Sequence, residues 1–178
     1  MRIVAGSRKG HRISAPKGAA TRPTGDRARE AAFALLGPVE GATVLDLFAG
    51  SGAMGLEALS RGATSCVFVE RDREACRVIQ ANLEKLRLTG AVIVNREVAA
   101  ALRDERDRGR RFDLVLVDPP YGEWEEHAPA LSELLPAVLD HGGLVVVETS
   151  ERIEPELPLD LVTSRRYGST RMTVFSLP

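Results

Sequence analysis

The tetrapeptide Asp118-Pro119-Pro120-Tyr121 holds residue types that could activate an amine attached to an aromatic ring. The lone pair of such an amine is delocalised into the ring, which makes it a poor nucleophile. A carboxylate (Asp118) and a backbone carbonyl (Pro119) accepting from its two N–H groups would favour a tetrahedral nitrogen with a localised lone pair. Two prolines fix φ and hold that carbonyl in place. Tyr121 offers a flat face for an unstacked base, an interaction worth about 1 to 3 kcal/mol. Group transfer to that nitrogen would be an in-line displacement governed by positioning, with no covalent enzyme intermediate and no metal. Bases inside a duplex are out of reach of such a pocket, so the target must be flipped out or lie in a loop. In isolation the same four residues also describe a proline turn closing a strand, so their place in the fold decides between the readings.

A second candidate site is the glycine-rich stretch Phe48-Ala49-Gly50-Ser51-Gly52-Ala53-Met54-Gly55, which follows an apolar run ending Asp46-Leu47. In an open α/β sheet, ligands bind at such carboxyl ends of strands. Asp46 can organise the loop from within the strand. Glu70, at the end of the next apolar run, can accept hydrogen bonds from the hydroxyls of a ribose, with Arg71 beside it. The alternative for Glu70 is a surface acid paired with Arg71 or Arg73. Gly50, Gly52 and Gly55 also satisfy the dinucleotide pattern G-x-G-x-x-G, with Glu70 at the spacing of its ribose-binding acid. The glycines therefore leave a nicotinamide-dependent oxidoreductase open.

The elements that must position these groups read as alternating strands and helices. Apolar runs at 44–47, 66–69, 92–94, 114–117 and 144–147 are separated by helical patterns near 54–61, 72–87, 97–108 and 126–139. Near-continuous apolar strands between helices predict a parallel sheet covered on both faces, a doubly wound α/β domain. Residues 159–166 and 171–177 are joined by Tyr167-Gly168-Ser169-Thr170 with no room for a helix, which predicts a terminal antiparallel hairpin. Upstream, residues 2–5 and 12–14 read as two short strands around a turn at 6–10, followed by a loop over 15–25 and a helix from Asp26 to about Leu36.

Residues 1–30 carry eight basic side chains against Asp26 and Glu30, whereas the remainder is net negative within an overall charge of −1. A basic arm on an acidic body suits a polyanion, because Lys and Arg neutralise phosphates and release counterions; a solvated tail is the alternative. Cys66 and Cys76 form no disulfide framework or zinc spacing and read as core fillers, as fits a reducing compartment. His11 belongs to the basic arm, and His127 and His141 read as surface residues. No stretch approaches the roughly 18 apolar residues of a membrane span, and the N-terminus lacks a signal-peptide core. The expectation is a soluble cytoplasmic protein.

Together the tetrad, the stretch Val44-Leu45-Asp46-Leu47-Phe48-Ala49-Gly50-Ser51-Gly52 and especially Thr21-Arg22-Pro23-Thr24-Gly25-Asp26-Arg27-Ala28-Arg29-Glu30-Ala31 closely resemble the bacterial small-subunit ribosomal RNA guanine-N2 methyltransferases of the RsmD type. The resemblance spans nearly the whole chain. Gly25 stands where many relatives have Ser, and Tyr121 where some have Phe. It implies a class I methyltransferase fold with a mostly parallel seven-stranded sheet: residues 1–25 would form an RNA-binding extension and residues 26–178 the S-adenosylmethionine-dependent domain. It implies that Asp46, Phe48, Ala49, Gly50, Ser51, Gly52, Glu70, Arg71 and Glu97 hold S-adenosylmethionine, and that Asp118 to Tyr121 hold a guanine of 16S rRNA. Arg8, Lys9, His11, Arg12, Arg22, Thr24, Arg27 and Arg29 would contact RNA. The implied substrate is an assembled or late-assembling 30S subunit, met by a monomer. Without the resemblance, an adenine-N6 methyltransferase on DNA or RNA remains open, as does a non-catalytic RNA-binding assembly factor.

Overall fold

The structure, a computed structural model, describes residues 1–16 and 25–177. In chain order the elements are α1 (Gly25–Leu36), β1 (Thr43–Leu47), α2 (Ala53–Ser60), β2 (Ser65–Val69), α3 (Arg73–Leu86), β3 (Ala91–Val94), α4 (Val98–Asp107), β4 (Phe112–Val117), α5 (Trp124–Val138), β5 (Leu139–Ser150), β6 (Asp160–Tyr167) and β7 (Thr170–Ser176). The sheet order is β3-β2-β1-β4-β5-β7-β6, with β7 antiparallel to both its neighbours and the other pairings parallel. The seven strands and the terminal hairpin agree with the sequence expectation.

Residues of the central strands β1, β2 and β4 and the core of β5 are mostly apolar on both sides because helices cover both faces of the sheet there. Val44, Leu114, Leu116 and Val146 pack with Phe33 of α1, Leu56 of α2 and Ile79 of α3. Leu45, Leu47, Val115, Val117 and Val147 pack with Leu102 of α4 and Leu131 and Leu135 of α5. Each such side chain, fully buried, stabilises the fold by roughly 1.5 to 3 kcal/mol. α3 is framed by its own residues: Asp72 accepts from the Ala75 amide at 2.7 Å, and Arg87 closes the helix at φ +50°.

β5 departs from its expected length. It begins directly at the end of α5, and its register against β4 shifts between Phe112–Leu139 and Leu114–Leu144. Gly142, at φ +76°, allows the chain to absorb the extra residues before the straight core segment.

The N-terminal hairpin also differs from two regular strands. Its ladder consists of the Ile3 amide donating to His11, Gly10 to Ile3 and Ile13 to Met1, around a single 3-10 turn at Gly6–Arg8. The ladder is short because the Val4 and Ala5 amides donate instead to the Glu57 carboxylate of α2, at 2.8 and 2.9 Å. Ile3 and Ile13 are buried in the core with Leu56 and Phe33. Gly6, at φ +81°, presses so closely on the end of α2 that a Cβ there would lie 1.9 Å from the Ser60 carbonyl oxygen. The basic hairpin is thus docked on the sheet's cover and is no free arm.

Candidate active site

The site lies where β1, β2, β4 and β5 end. β1 carries Asp46, which is buried and accepts from the Gly55 amide at 2.9 Å. Burial pushes its carboxyl up to about 8, against the lowering effect of the Gly55 hydrogen bond, and the Glu70 charge raises it further. Asp46 therefore fixes the start of α2 from beneath, the loop-organising position expected of it. The chain then turns through Phe48, which adopts φ +58°, a left-handed conformation costly for a side chain with a Cβ. Its neighbours hold it there: the Ala49 amide donates to Val69 at 3.0 Å, and the Phe48 ring packs 4.7 Å from the His127 ring.

Gly55 shows why the third glycine is required. A Cβ would sit 2.4 Å from Phe68 and 2.6 Å from the Cys66 sulfur, both fully buried, so α2 can lie on β2 only without a side chain there. Cys66 is thus a core filler as expected; Cys76 is only partly covered. Glu70 pairs with neither Arg71 nor Arg73: one carboxylate oxygen accepts from the Gly50 amide and the other from the Asp72 amide, each at 2.8 Å. Each oxygen has a second lone pair with which to meet a hydroxyl. Arg71 lies 3.8 Å from both Glu97 and Glu123 and spans the mouth of the cleft.

A cleft of about 240 Å³ connects these groups, running from Phe48, Gly50 and Glu70 past Arg71 and Glu97 to Asp118, Pro119 and Pro120. A cavity of about 280 Å³ on the other side of Asp118 reaches Phe48, Ser51, Ala15 and Gly25. The tetrad follows β4 directly; Asp118 and Tyr121 are exposed while Pro119 is buried. The Pro120 carbonyl accepts from the Glu123 amide at 3.0 Å, a turn that delivers the chain into α5. A nucleoside-bearing cofactor fits this donor set: ribose acceptors at Glu70, an open backbone approach at Gly50, and an exit toward Asp118. Among the described residues, no group of three or more His, Cys, Asp or Glu is placed to hold a metal ion.

Several side chains sit elsewhere than the sequence predicts. Arg29, expected to face RNA, is 3% exposed and pairs with Glu57 and Asp26 while donating to the Arg2 carbonyl. It lies on the apolar side of α1, one turn from Phe33. Arg8 points to the end of α3, where it donates to the Leu86 and Arg87 carbonyls, satisfying groups the helix terminus leaves unpaired. His127, expected at the surface, is mostly covered by Phe48 and Glu123. Lys9, His11, Arg12 and Arg27 are exposed. Arg22 and Thr24 lie outside the described residues.

Sequence reasoning missed two connecting groups. Glu57, fully buried, joins the hairpin amides, Arg29 and Arg61. Asn82 of α3, also buried, accepts from the Ser14 amide and donates to the carbonyls of Ser14 and Ser51. It thereby ties the hairpin's outgoing strand to the glycine loop.

The antiparallel β7 inserted beside β5 separates this sheet from the all-parallel order of dinucleotide dehydrogenases. With the Gly-rich loop after β1 and the tetrad after β4, it defines a class I methyltransferase fold. The family model described as Conserved hypothetical protein 95 matches residues 1–176. YlbH of Bacillus subtilis (strain 168), provisionally named an rRNA methyltransferase, is 39% identical over 98% of each chain. The Ribosomal RNA small subunit methyltransferase D of Escherichia coli (strain K12) is 35% identical over 89% of this chain and 78% of its own. The solved structure of yhhF from Escherichia coli, provisionally described as a methyltransferase, superposes with a TM-score of 0.83 at 31% identity, covering 100% of this chain and 99% of the other. The chain belongs to this family, the RsmD type.

Proposed function

We infer that the protein transfers the methyl group of S-adenosylmethionine to the exocyclic N2 of a guanine in 16S rRNA. The observation that carries this is the position of Asp118, Pro119 and Pro120 directly after β4, lining the cleft that begins at Gly50 and Glu70, with Tyr121 beside them on the adjoining small cleft. The relatives named for small-subunit rRNA methylation supply the polymer.

S-adenosylmethionine, when bound, supplies an electrophilic methyl group on a sulfonium. Glu70 would hold the ribose hydroxyls, Phe48 to Gly52 the backbone around the cofactor, and Glu97 with Arg71 the mouth of the cleft. Asp118 and the Pro119 carbonyl accept the two amine hydrogens and turn the nitrogen lone pair toward the methyl, a stabilisation that costs no reorganisation because both groups sit on a rigid strand end. Tyr121 stacks on the flipped base. The exposed Lys9, His11, Arg12 and Arg27 face phosphates, with Arg22 and Thr24 assigned there on the sequence resemblance alone. So few cations hold naked RNA weakly at physiological salt, which favours a monomer recognising the shape of an assembled or late-assembling 30S subunit.

The test is transfer of labelled methyl groups to 30S subunits from a strain lacking the gene, with the product mapped by mass spectrometry. Asp118→Ala should lower turnover by at least 100-fold, the scale of losing one preorganised charge-stabilising group, with S-adenosylmethionine affinity within about threefold of wild type. No incorporation by wild type, together with NADH binding, would return the glycine loop to the dehydrogenase reading.

A further inference from the structure

A second carboxylate stands level with Asp118 on the catalytic edge of the sheet. β4 and β5 are parallel with Val117 paired to Val147, so the residues that follow, Asp118 and Glu148, are adjacent across neighbouring strands, whose backbones lie about 4.8 Å apart. Side chains alternate along β5: Val146 belongs to the α1 face and Val147 to the α5 face, which returns Glu148 to the α1 face. Asp118 and Glu148 line the same cavity of about 280 Å³ beside Phe48 and Gly25, and both also line the small cleft under Tyr121. Glu148 is held by regular pairing with Met172, a fully buried residue, and Thr170 places its hydroxyl 3.5 Å from the Glu148 Oε1. The carboxylate thus projects from a paired strand, not from a loop.

Guanine presents two kinds of donor side by side on its Watson–Crick edge, the N1–H and the N2 amine. Adenine presents its N6 amine beside an N1 lone pair, which a carboxylate repels. Two acceptor-bearing strand ends side by side match the first pattern and oppose the second. We propose that Glu148 selects guanine by accepting its N1–H while Asp118 and the Pro119 carbonyl accept the N2 hydrogens. This rests on the methyl-transfer reading above and assigns that site its base specificity. A base whose N1 cannot donate turns a lone pair toward the Glu148 carboxylate, so discrimination comes from that repulsion and not from pocket size.

The experiment uses 30S subunits reconstituted with 16S rRNA carrying guanine or 2-aminopurine at the methylated position. 2-Aminopurine keeps the N2 amine and lacks the N1–H. Wild type should prefer guanine by roughly 10- to 100-fold in kcat/KM, as expected for one hydrogen bond to a charged acceptor. Glu148→Ala should bring that ratio to within about threefold of one, with the S-adenosylhomocysteine Kd measured calorimetrically unchanged, since the loss is confined to the base. Glu148→Gln keeps a neutral acceptor and the side-chain volume, so its ratio should fall several-fold, and it decides the matter if the alanine variant fails to fold. Equal wild-type rates on the two bases, or a ratio unchanged in the variants, would overturn the assignment while leaving methyl transfer standing. No methylation of guanine-bearing subunits by wild type would overturn both.

Discussion

Replacing Glu57 with alanine tests how the hairpin is attached. Its carboxylate is fully buried and takes hydrogen bonds from the Val4 and Ala5 amides at 2.8 and 2.9 Å, and from Arg29 and Arg61 at 3.3 and 2.8 Å. Truncation leaves two backbone donors without their acceptor, each costing about 1 to 3 kcal/mol if no water replaces it. It also removes the buried partner of Arg29, a change that costs about 3 to 5 kcal/mol in other buried pairs. These losses overlap, because Arg29 keeps Asp26 and the Arg2 carbonyl, and water can enter the vacated space. The expected destabilisation is about 3 to 5 kcal/mol, a large share of the roughly 5 to 15 kcal/mol that holds a domain folded.

The neighbouring variants should follow in order. Arg29→Ala leaves Glu57 with Arg61 and both amides and should cost less than Glu57→Ala. Arg61→Ala removes the more exposed partner and should cost about 1 kcal/mol or less. Urea unfolding gives the energies, and native-state hydrogen exchange at Val4 and Ala5 reports the hairpin directly. A Glu57→Ala loss below about 1 kcal/mol, or wild-type protection of those two amides, would refute the role assigned to the carboxylate.

Three further outcomes are expected. Because burial raises the Asp46 carboxyl from 3.8 to about 8, the folded state binds an extra proton between those values; its contribution is whole below 3.8 and is lost as pH rises through about 8. Asp46→Asn, whose amide oxygen can still accept from Gly55, should flatten the thermal midpoint's decline over that window, and a slope equal to wild type would contradict the shift. Neutralising Lys9, Arg12 and Arg27 together should reduce the salt slope of rRNA binding by about 2, at roughly 0.7 to 0.9 per phosphate contact, and an unchanged slope would make these residues a solvated surface. Gly55→Ala gains about 0.5 to 1 kcal/mol of helix propensity but presses a Cβ against Phe68 and Cys66, an overpacking cost of about 1 to 3 kcal/mol; urea unfolding should show net destabilisation, whereas a more stable variant would show that α2 can lift freely.

The strands, the glycine loop, Glu70 and the tetrad were legible because each is a local pattern at a strand end, where side-chain period and loop residues declare themselves within about ten positions. Glu57 was not legible, because its hairpin partners are backbone amides 52 and 53 residues away and Leu56-Glu57-Ala58 carries no local mark of them. Arg29 and His127 did leave a signal. Each falls on an apolar helical stripe, Arg29 with Ala28, Ala32 and Phe33, and His127 with Trp124, Ala128 and Leu131. A charged or polar residue within such a stripe is buried with a partner more often than it is solvated. Counting charges along residues 1–30 identified a basic segment and could not separate cations that face solvent from those that hold the fold.

That separation changes how the hairpin relates to the chemistry. Arg8 and Arg29 secure it, while Lys9, His11 and Arg12 remain exposed on it and Arg27 on the neighbouring α1. Its outgoing strand is held at Ser14 by Asn82, whose amide group also donates to Ser51 in the glycine loop at 3.2 Å. Both donor hydrogens of that amide are committed, one to each segment, so displacing either segment forces Asn82 to leave a buried donor unmet. One buried amide thus connects the hairpin proposed to meet the substrate to the loop proposed to meet the methyl donor.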